Sequence, residues 1–170
     1  MTQAANLAQF ANRLNSEGKL DAQTGLYNNA AGGVIAQIVS AKFTNSTQTT
    51  SGSYQDTFSS ISITPTTLTS KIIIISEGML AKWDYSGAAI ARMTRNGTPI
   101  IGDHYLWGSN GFNQAPYQTY TSMTLSTVDE PGLTTLVTYK VQLKNYNAGM
   151  AVYGMNDVDG STMLAIEVIQ

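Results

Sequence analysis

The sequence contains no cysteine and one histidine, His104. Thiol nucleophiles, cysteine-based zinc sites and multi-histidine metal centres are thereby excluded, and no cofactor is expected. Charge is scarce too: 12% of the 170 residues are Asp, Glu, Lys or Arg, against roughly 25% in an average soluble domain. The nine cations are spread along the chain and the net charge is −2. Nucleic-acid binding needs clustered Lys and Arg, so it is not expected. No basic region followed by an apolar run opens the chain, so no secretory signal is visible. The longest strongly apolar run, Ile72 to Ile75, is far short of the roughly 20 residues that span a bilayer, and no membrane insertion is expected.

Hydroxyl and small residues are abundant. Ser and Thr together number 36 and Gly adds 15, so solubility rests on hydroxyls and amides rather than on charge. At 18.2 kDa the chain fits one domain plus a short extension. A core-forming part of about 140 residues buries roughly two-thirds of its unfolded surface, enough to fold without a disulfide or metal staple.

The first 16 residues differ from the rest. Leu7, Phe10, Ala11 and Leu14 recur at i, i+3, i+4 and i+7, one apolar stripe on a helix. Thr2 stands where an N-cap is wanted and Gly18 where a left-handed C-terminal cap is wanted. A helix this short is marginal alone in water, so its stripe must dock on something. Asn15 to Gly33 is rich in Gly, Asn, Ala and Ser and reads as a linker. The expected organisation is therefore an attachment helix and linker over residues 1–33 and a second domain over 34–170.

From Val34 the period changes to two. Met123 and Leu125 alternate with Ser122, Thr124 and Ser126; Val137, Tyr139, Val141 and Leu143 alternate with Thr138, Lys140, Gln142 and Lys144. Both predict antiparallel strands with one solvated face. Val34 to Phe43 and Lys71 to Trp83 are more continuously apolar, which predicts cover on both faces, with Ile72 to Ile75 in the interior. Phe58 to Thr64, Ala89 to Arg95, Met150 to Asn156 and Met163 to Ile169 complete the strands. Turn signals fall between them at Asn96-Gly97, Pro65-Thr66-Thr67, Asp129-Glu130-Pro131-Gly132 and Asp157-Val158-Asp159-Gly160. Eight or nine short strands with regular turns predict a mainly β fold, an antiparallel β-sandwich or jelly roll with a short N-terminal α-helix.

Little in the chain suggests catalysis. A hydrolytic triad would have to use His104, which reads as a loop residue in Gly102-Asp103-His104-Tyr105, and no G-x-S-x-G elbow occurs. The carboxylates Asp84, Asp103, Asp129, Glu130, Asp157 and Asp159 lie at expected turns, where turn chemistry already accounts for them. Asp157-x-Asp159-Gly160 has the start of a calcium loop, yet an EF-hand's twelfth position falls on Val168. A hairpin turn is the expected use, and a loop-built calcium site stays open. Asn45-Ser46-Thr47 and Asn96-Gly97-Thr98 match the N-glycosylation pattern by chance in an Asn- and Thr-rich chain. Asp103 to Tyr120, read as one long loop, carries Tyr105, Trp107, Phe112, Tyr117 and Tyr120 among Asn110, Asn113 and Gln114. Rings stack on sugar C–H faces while amides pair with hydroxyls, so glycan contact is one reading. Packing against the sandwich or a neighbouring subunit is the other.

Several segments resemble a known family. Ala5-Asn6-Leu7-Ala8-Gln9-Phe10-Ala11-Asn12-Arg13-Leu14-Asn15-Ser16 with Gly18-Lys19-Leu20 is similar to the amino-terminal segment of tail-fibre and related virion proteins of cyanophages and other marine phages. Ile61-Ser62-Ile63-Thr64-Pro65 with Ser70-Lys71-Ile72, then Arg95-Asn96-Gly97-Thr98-Pro99-Ile100, resemble features of their β-rich distal domains. So do Asp129-x-Pro131-Gly132 followed by Thr138-Tyr139-Lys140-Val141-Gln142, and the closing Ala165-Ile166-Glu167-Val168. The resemblance covers nearly the whole chain and rests on the order of the pieces. It implies a non-enzymatic virion protein, usually trimeric, that binds host surfaces or decorates the particle. Long fibres place a repetitive shaft after the attachment segment. A linker of about 20 residues implies instead a short fibre, a tip or a knob.

The expectation is thus a short tail fibre of a phage particle. Leu7, Phe10, Ala11 and Leu14 would attach it to baseplate, neck or capsid proteins or to symmetry mates. Tyr105, Trp107, Asn110, Phe112, Asn113, Gln114 and Tyr117 would meet host surface polysaccharide. A homotrimer is expected, because low charge leaves sheet edges poorly defended unless a closed assembly covers them. The alternatives are a head fibre or capsid decoration protein, and a polysaccharide-degrading spike.

Overall fold

Alternation in sequence becomes alternation in burial. In a computed structural model, which describes residues 33–83, 87–108, 118–147, 149–154 and 160–169, Val137, Tyr139, Val141 and Leu143 are fully buried while the residues between them are only partly covered. Ten strands occur among the described residues: β1 (Val34–Phe43), β2 (Thr47–Thr49), β3 (Gln55–Ile63), β4 (Lys71–Trp83), β5 (Ala88–Arg95), β6 (Thr98–Trp107), β7 (Gln118–Asp129), β8 (Val137–Tyr146), β9 (Met150–Tyr153) and β10 (Ser161–Ile169). No helix is found among the described residues. The helix expected over 1–16 and the linker to residue 32 lie outside them, as does the Asp157–Asp159 turn.

The strands form two sheets. One has the order β1-β10-β4-β7, with β9 and then β2 continuing beside the C-terminal half of β4. That arrangement follows from length, since β4 is 13 residues long. Its Lys71–Glu77 half pairs with β10 and its Leu80–Trp83 half with β9, while β7 runs along the whole other edge. The second sheet has the order β3-β8-β5-β6. Every pair with a described register is antiparallel. Ile61, Ile63, Ile72, Ile74, Met93, Leu125, Tyr139 and Met163, drawn from both sheets, meet in one core. Each fully buried side chain of this kind contributes roughly 1.5–3 kcal/mol before ordering costs.

Polar groups tie the sheets where the core ends. Glu167 on β10 is fully buried, and its carboxylate accepts hydrogen bonds from the Thr66 amide (2.6 Å), Thr66 Oγ1 (2.7 Å), Ser70 Oγ (2.5 Å) and Gln37 Nε2 (2.6 Å). Burial pushes this carboxyl up, but the donors outweigh it and hold it at about 2. One side chain thereby fastens β1 and the β3–β4 connection to β10. Across the sandwich, Arg95 Nη1 donates to both Asp129 oxygens (2.9 and 3.0 Å) and Tyr139 donates to Oδ2 (2.7 Å). Burial, then the Asp129 carboxylate, raises the Tyr139 phenol. Ser59 and Ser161 share a buried hydroxyl contact of 2.6 Å, and Lys82 Nζ donates to Asn145 Oδ1 at 2.6 Å.

Several expectations need correction. β1 is not covered on both faces. It is the outermost strand of its sheet, and Val34, Ile35 and Ile38 are exposed. Within the run Ile72 to Ile75 on β4, Ile72 and Ile74 face the core, while Ile73 and Ile75 are half-buried on the outer side. The short strand β2 is additional, and Asp103, His104, Tyr105 and Trp107 lie on a strand, β6, rather than in a loop. The Asn96-Gly97 hairpin is found as expected, joining β5 to β6 with φ of 48° and 84°. Positive φ at both central residues matches the right-handed twist of the flanking strands. The Asn96 amide donates to Thr138 O (2.8 Å) and its Oδ1 accepts from the Thr138 amide (2.9 Å), stapling the hairpin to β8.

Candidate ligand-binding face

The outward face of the β3-β8-β5-β6 sheet gathers the chemistry. Registers place side chains in rows across it. Trp107, Ala88 and Tyr146 form one row, and Tyr105, Ile90 and Lys144 the next. Arg92, Gln142 and Asp56 form a third. Small Ala88 between two large rings lets Trp107 and Tyr146 meet edge to face at 6.1 Å. Tyr105 and Trp107, two apart on β6, stack nearly parallel at 5.9 Å. Ala88 and Ile90 are buried, whereas Tyr105, Trp107 and Tyr146 remain 52%, 59% and 50% exposed.

A bulge delivers Asp103. Ile101 lies opposite Met93 and His104 opposite Ala91, so Gly102 and Asp103 together oppose Arg92. The extra residue shifts the alternation of β6, which lets Ile101 and Leu106 both pack against the core although five positions apart. It also sets Asp103 beside Tyr54 and Lys144. The Tyr54 hydroxyl donates to Asp103 Oδ1, Lys144 Nζ lies 3.3 Å from Oδ2, and the Tyr105 hydroxyl is 3.4 Å from the same oxygen. Burial pushes the Asp103 carboxyl up, yet hydrogen bonds from Tyr54 and Lys144 outweigh it and hold the group below its usual range. Burial and that same carboxylate raise the Tyr54 phenol.

The polar network continues without a break. The Arg92 guanidinium sits 3.5 Å from the Tyr54 ring centre and Lys144 Nζ 4.3 Å from it. Arg92 Nε and Nη2 donate to Gln142 Oε1 (2.9 and 2.8 Å), Gln142 Nε2 donates to Asp56 Oδ1 (2.8 Å), and Lys140 Nζ pairs with Oδ2 (2.7 Å). Those donors, Lys140 first, lower the Asp56 carboxyl. The result is an ordered strip of acids, bases and amides running up to an exposed aromatic cluster. Such a surface offers ring faces and hydroxyl-matching polar groups side by side.

Of the residues expected at a binding site, Tyr105 and Trp107 come together here. Asn110, Phe112, Asn113, Gln114 and Tyr117 lie outside the described residues, as do Leu7, Phe10, Ala11 and Leu14. Sequence reasoning missed Tyr54, Arg92, Lys144 and Tyr146. Tyr146 was within reach, because it continues the outward series Thr138, Lys140, Gln142, Lys144. Tyr54 was not, since only the fold brings it over Arg92. His104 is exposed on β6, and among the described residues no group of three or more His, Asp or Glu is placed to hold a metal.

The fold and this face define an antiparallel β-sandwich with a solvent-facing aromatic and polar surface. No family model matches the chain, and no curated protein matches it. Solved structures of infectious bursal disease virus overlap part of it. The VP2 subviral particle does so at 13% identity and a TM-score of 0.40, covering 79% of this chain and 37% of that one. T=1 particles derived from the same virus overlap at 13% identity and 0.39, covering 79% and 36%. The chain thus spans little more than a third of those proteins, and TM-scores below 0.5 carry no argument about what it does.

Proposed function

We propose that the chain is a structural protein of a phage particle: a short tail fibre that attaches through residues 1–33 and presents the sandwich as a knob to the host surface. The observation that carries the reading is the strand order. β1-β10-β4-β7 facing β3-β8-β5-β6 is the interleaving of an eight-stranded jelly roll built from two Greek keys, an architecture used by capsid and lectin domains. The fibre-like segments after the amino-terminal one fall in order along this same domain, and its outward aromatic face supplies a contact surface. The protein acts by binding, without catalysis, as a homotrimer. The exposed apolar residues of β1 support an association that covers this edge.

Immunogold labelling of purified particles tests the reading. Label on the tail supports it, label on the head favours a head fibre or decoration protein, and no label refutes both. Light scattering on the purified protein should give about three chain masses. Release of new reducing ends from host polysaccharide by the purified protein would instead identify a degrading spike.

A further inference from the structure

The geometry points to the outer face of the β3-β8-β5-β6 sheet, and not a loop, as a saccharide-binding platform in which Trp107, Tyr105 and Tyr146 stack against pyranose rings and Asp103, Lys144 and Tyr54 engage their hydroxyls. The inference deepens the proposed host-surface contact and rests on that reading for its biological setting.

Three observations carry it. The rings are large, lie on paired strands of a sheet and are at least half exposed, so their positions are set before any ligand arrives. Rigid display of this kind reduces the ordering cost of binding. Next, the rings do not stand alone. Asp103, Lys144 and the Tyr105 hydroxyl meet within 3.4 Å at the edge of the cluster. A purely apolar partner, a second copy included, would have to dehydrate that ion pair without replacing its water contacts, which is costly. A pyranose has an apolar C–H face for the rings and hydroxyls that donate to Asp103 and accept from Lys144. Finally, two tyrosines and an indole present polar tips beside apolar bodies, the mixed character that a sugar matches. One shallow contact is weak, about millimolar, and several copies per particle raise it by avidity.

Tryptophan fluorescence reads the site directly. The chain has two tryptophans. The Trp83 indole N–H is buried without a hydrogen-bond partner among the described residues, so Trp83→Phe sacrifices no described bond and leaves Trp107 as the sole reporter. This variant would be titrated with dextran, mannan, alginate and hyaluronate oligosaccharides. At least one should shift or quench the emission saturably. In the native background, followed by calorimetry, Trp107→Ala should weaken that response at least tenfold, and Tyr146→Phe much less than Tyr146→Ala. Lys144→Met should weaken it severalfold with only a small fall in the thermal midpoint, since its pairing with Asp103 is partly solvated. No saturable response to any of the four glycans overturns the proposal. So does a fall in the light-scattering mass on Trp107→Ala, which would make the cluster a subunit contact. The virion reading fails separately: a chain that binds glycan but is missing from particles refutes that reading and leaves this one standing.

Discussion

Replacing Glu167 with Gln tests how the sandwich is fastened at one end. The substitution keeps size and shape but removes the charge, and an amide presents one acceptor oxygen where the carboxylate presents two. Four donors converge on those oxygens at 2.5–2.7 Å, so at least one N–H or O–H of Thr66, Ser70 or Gln37 loses its partner. The carboxyl titrates near 4.5 when unfolded and at about 2 when folded. At roughly 1.4 kcal/mol per pKa unit, this is worth about 3 kcal/mol. Because the folded value is the lower one, the contribution is fully present above pH 4.5 and disappears as pH falls from there to 2. Glu167→Gln should therefore lose about 2–3 kcal/mol at pH 7, a drop of roughly 5–10 °C in thermal midpoint for a chain of this size. The gap between the two proteins should narrow to about 1 kcal/mol or less by pH 2.5. Urea unfolding followed by far-UV circular dichroism, at one fixed protein concentration and at pH 7, 4 and 2.5, measures both effects. Equal midpoints at pH 7, or a gap that does not narrow on acidification, would refute the reasoning.

Gly78→Ala should cost about 1–3 kcal/mol, because an added Cβ would lie 2.8 Å from Tyr153 Oη and 2.9 Å from Cζ of that buried ring; chemical denaturation checks it. Gly97→Ala should cost about 1–2 kcal/mol from the backbone alone, since φ is +84° and its Cβ would meet nothing within 4 Å. Gly102→Ala, with equal space and no positive φ, should be neutral within about 0.5 kcal/mol. Asp129→Asn should cost about 1–3 kcal/mol, as the Arg95 charge loses its anion and Tyr139 its carboxylate acceptor; a thermal melt measures it. Phe10→Asp with Leu14→Asp should leave the melting curve of the sandwich unchanged and remove the protein from purified particles, scored by immunoblot.

Much of the fold was legible because it is written locally. The bounds of β1 and β4 follow from where apolar runs begin and end, the inward face of β8 from strict alternation, and the β5–β6 hairpin from Asn96-Gly97. What local pattern does not contain is pairing. The run Val34 to Phe43 looks doubly covered, yet its place at the end of the sheet order leaves Ile35 and Ile38 in solvent. β6 escaped detection because the bulge at Gly102-Asp103 breaks the period-two pattern by one residue, turning a strand into what reads as a loop. The same bulge aims Asp103 at Tyr54, and register alone sets Tyr146 across Ala88 from Trp107. Alternation is a property of one strand and can be read along the chain. Which strand lies alongside, and with what offset, depends on contacts between residues far apart in sequence, so only the tertiary structure decides it.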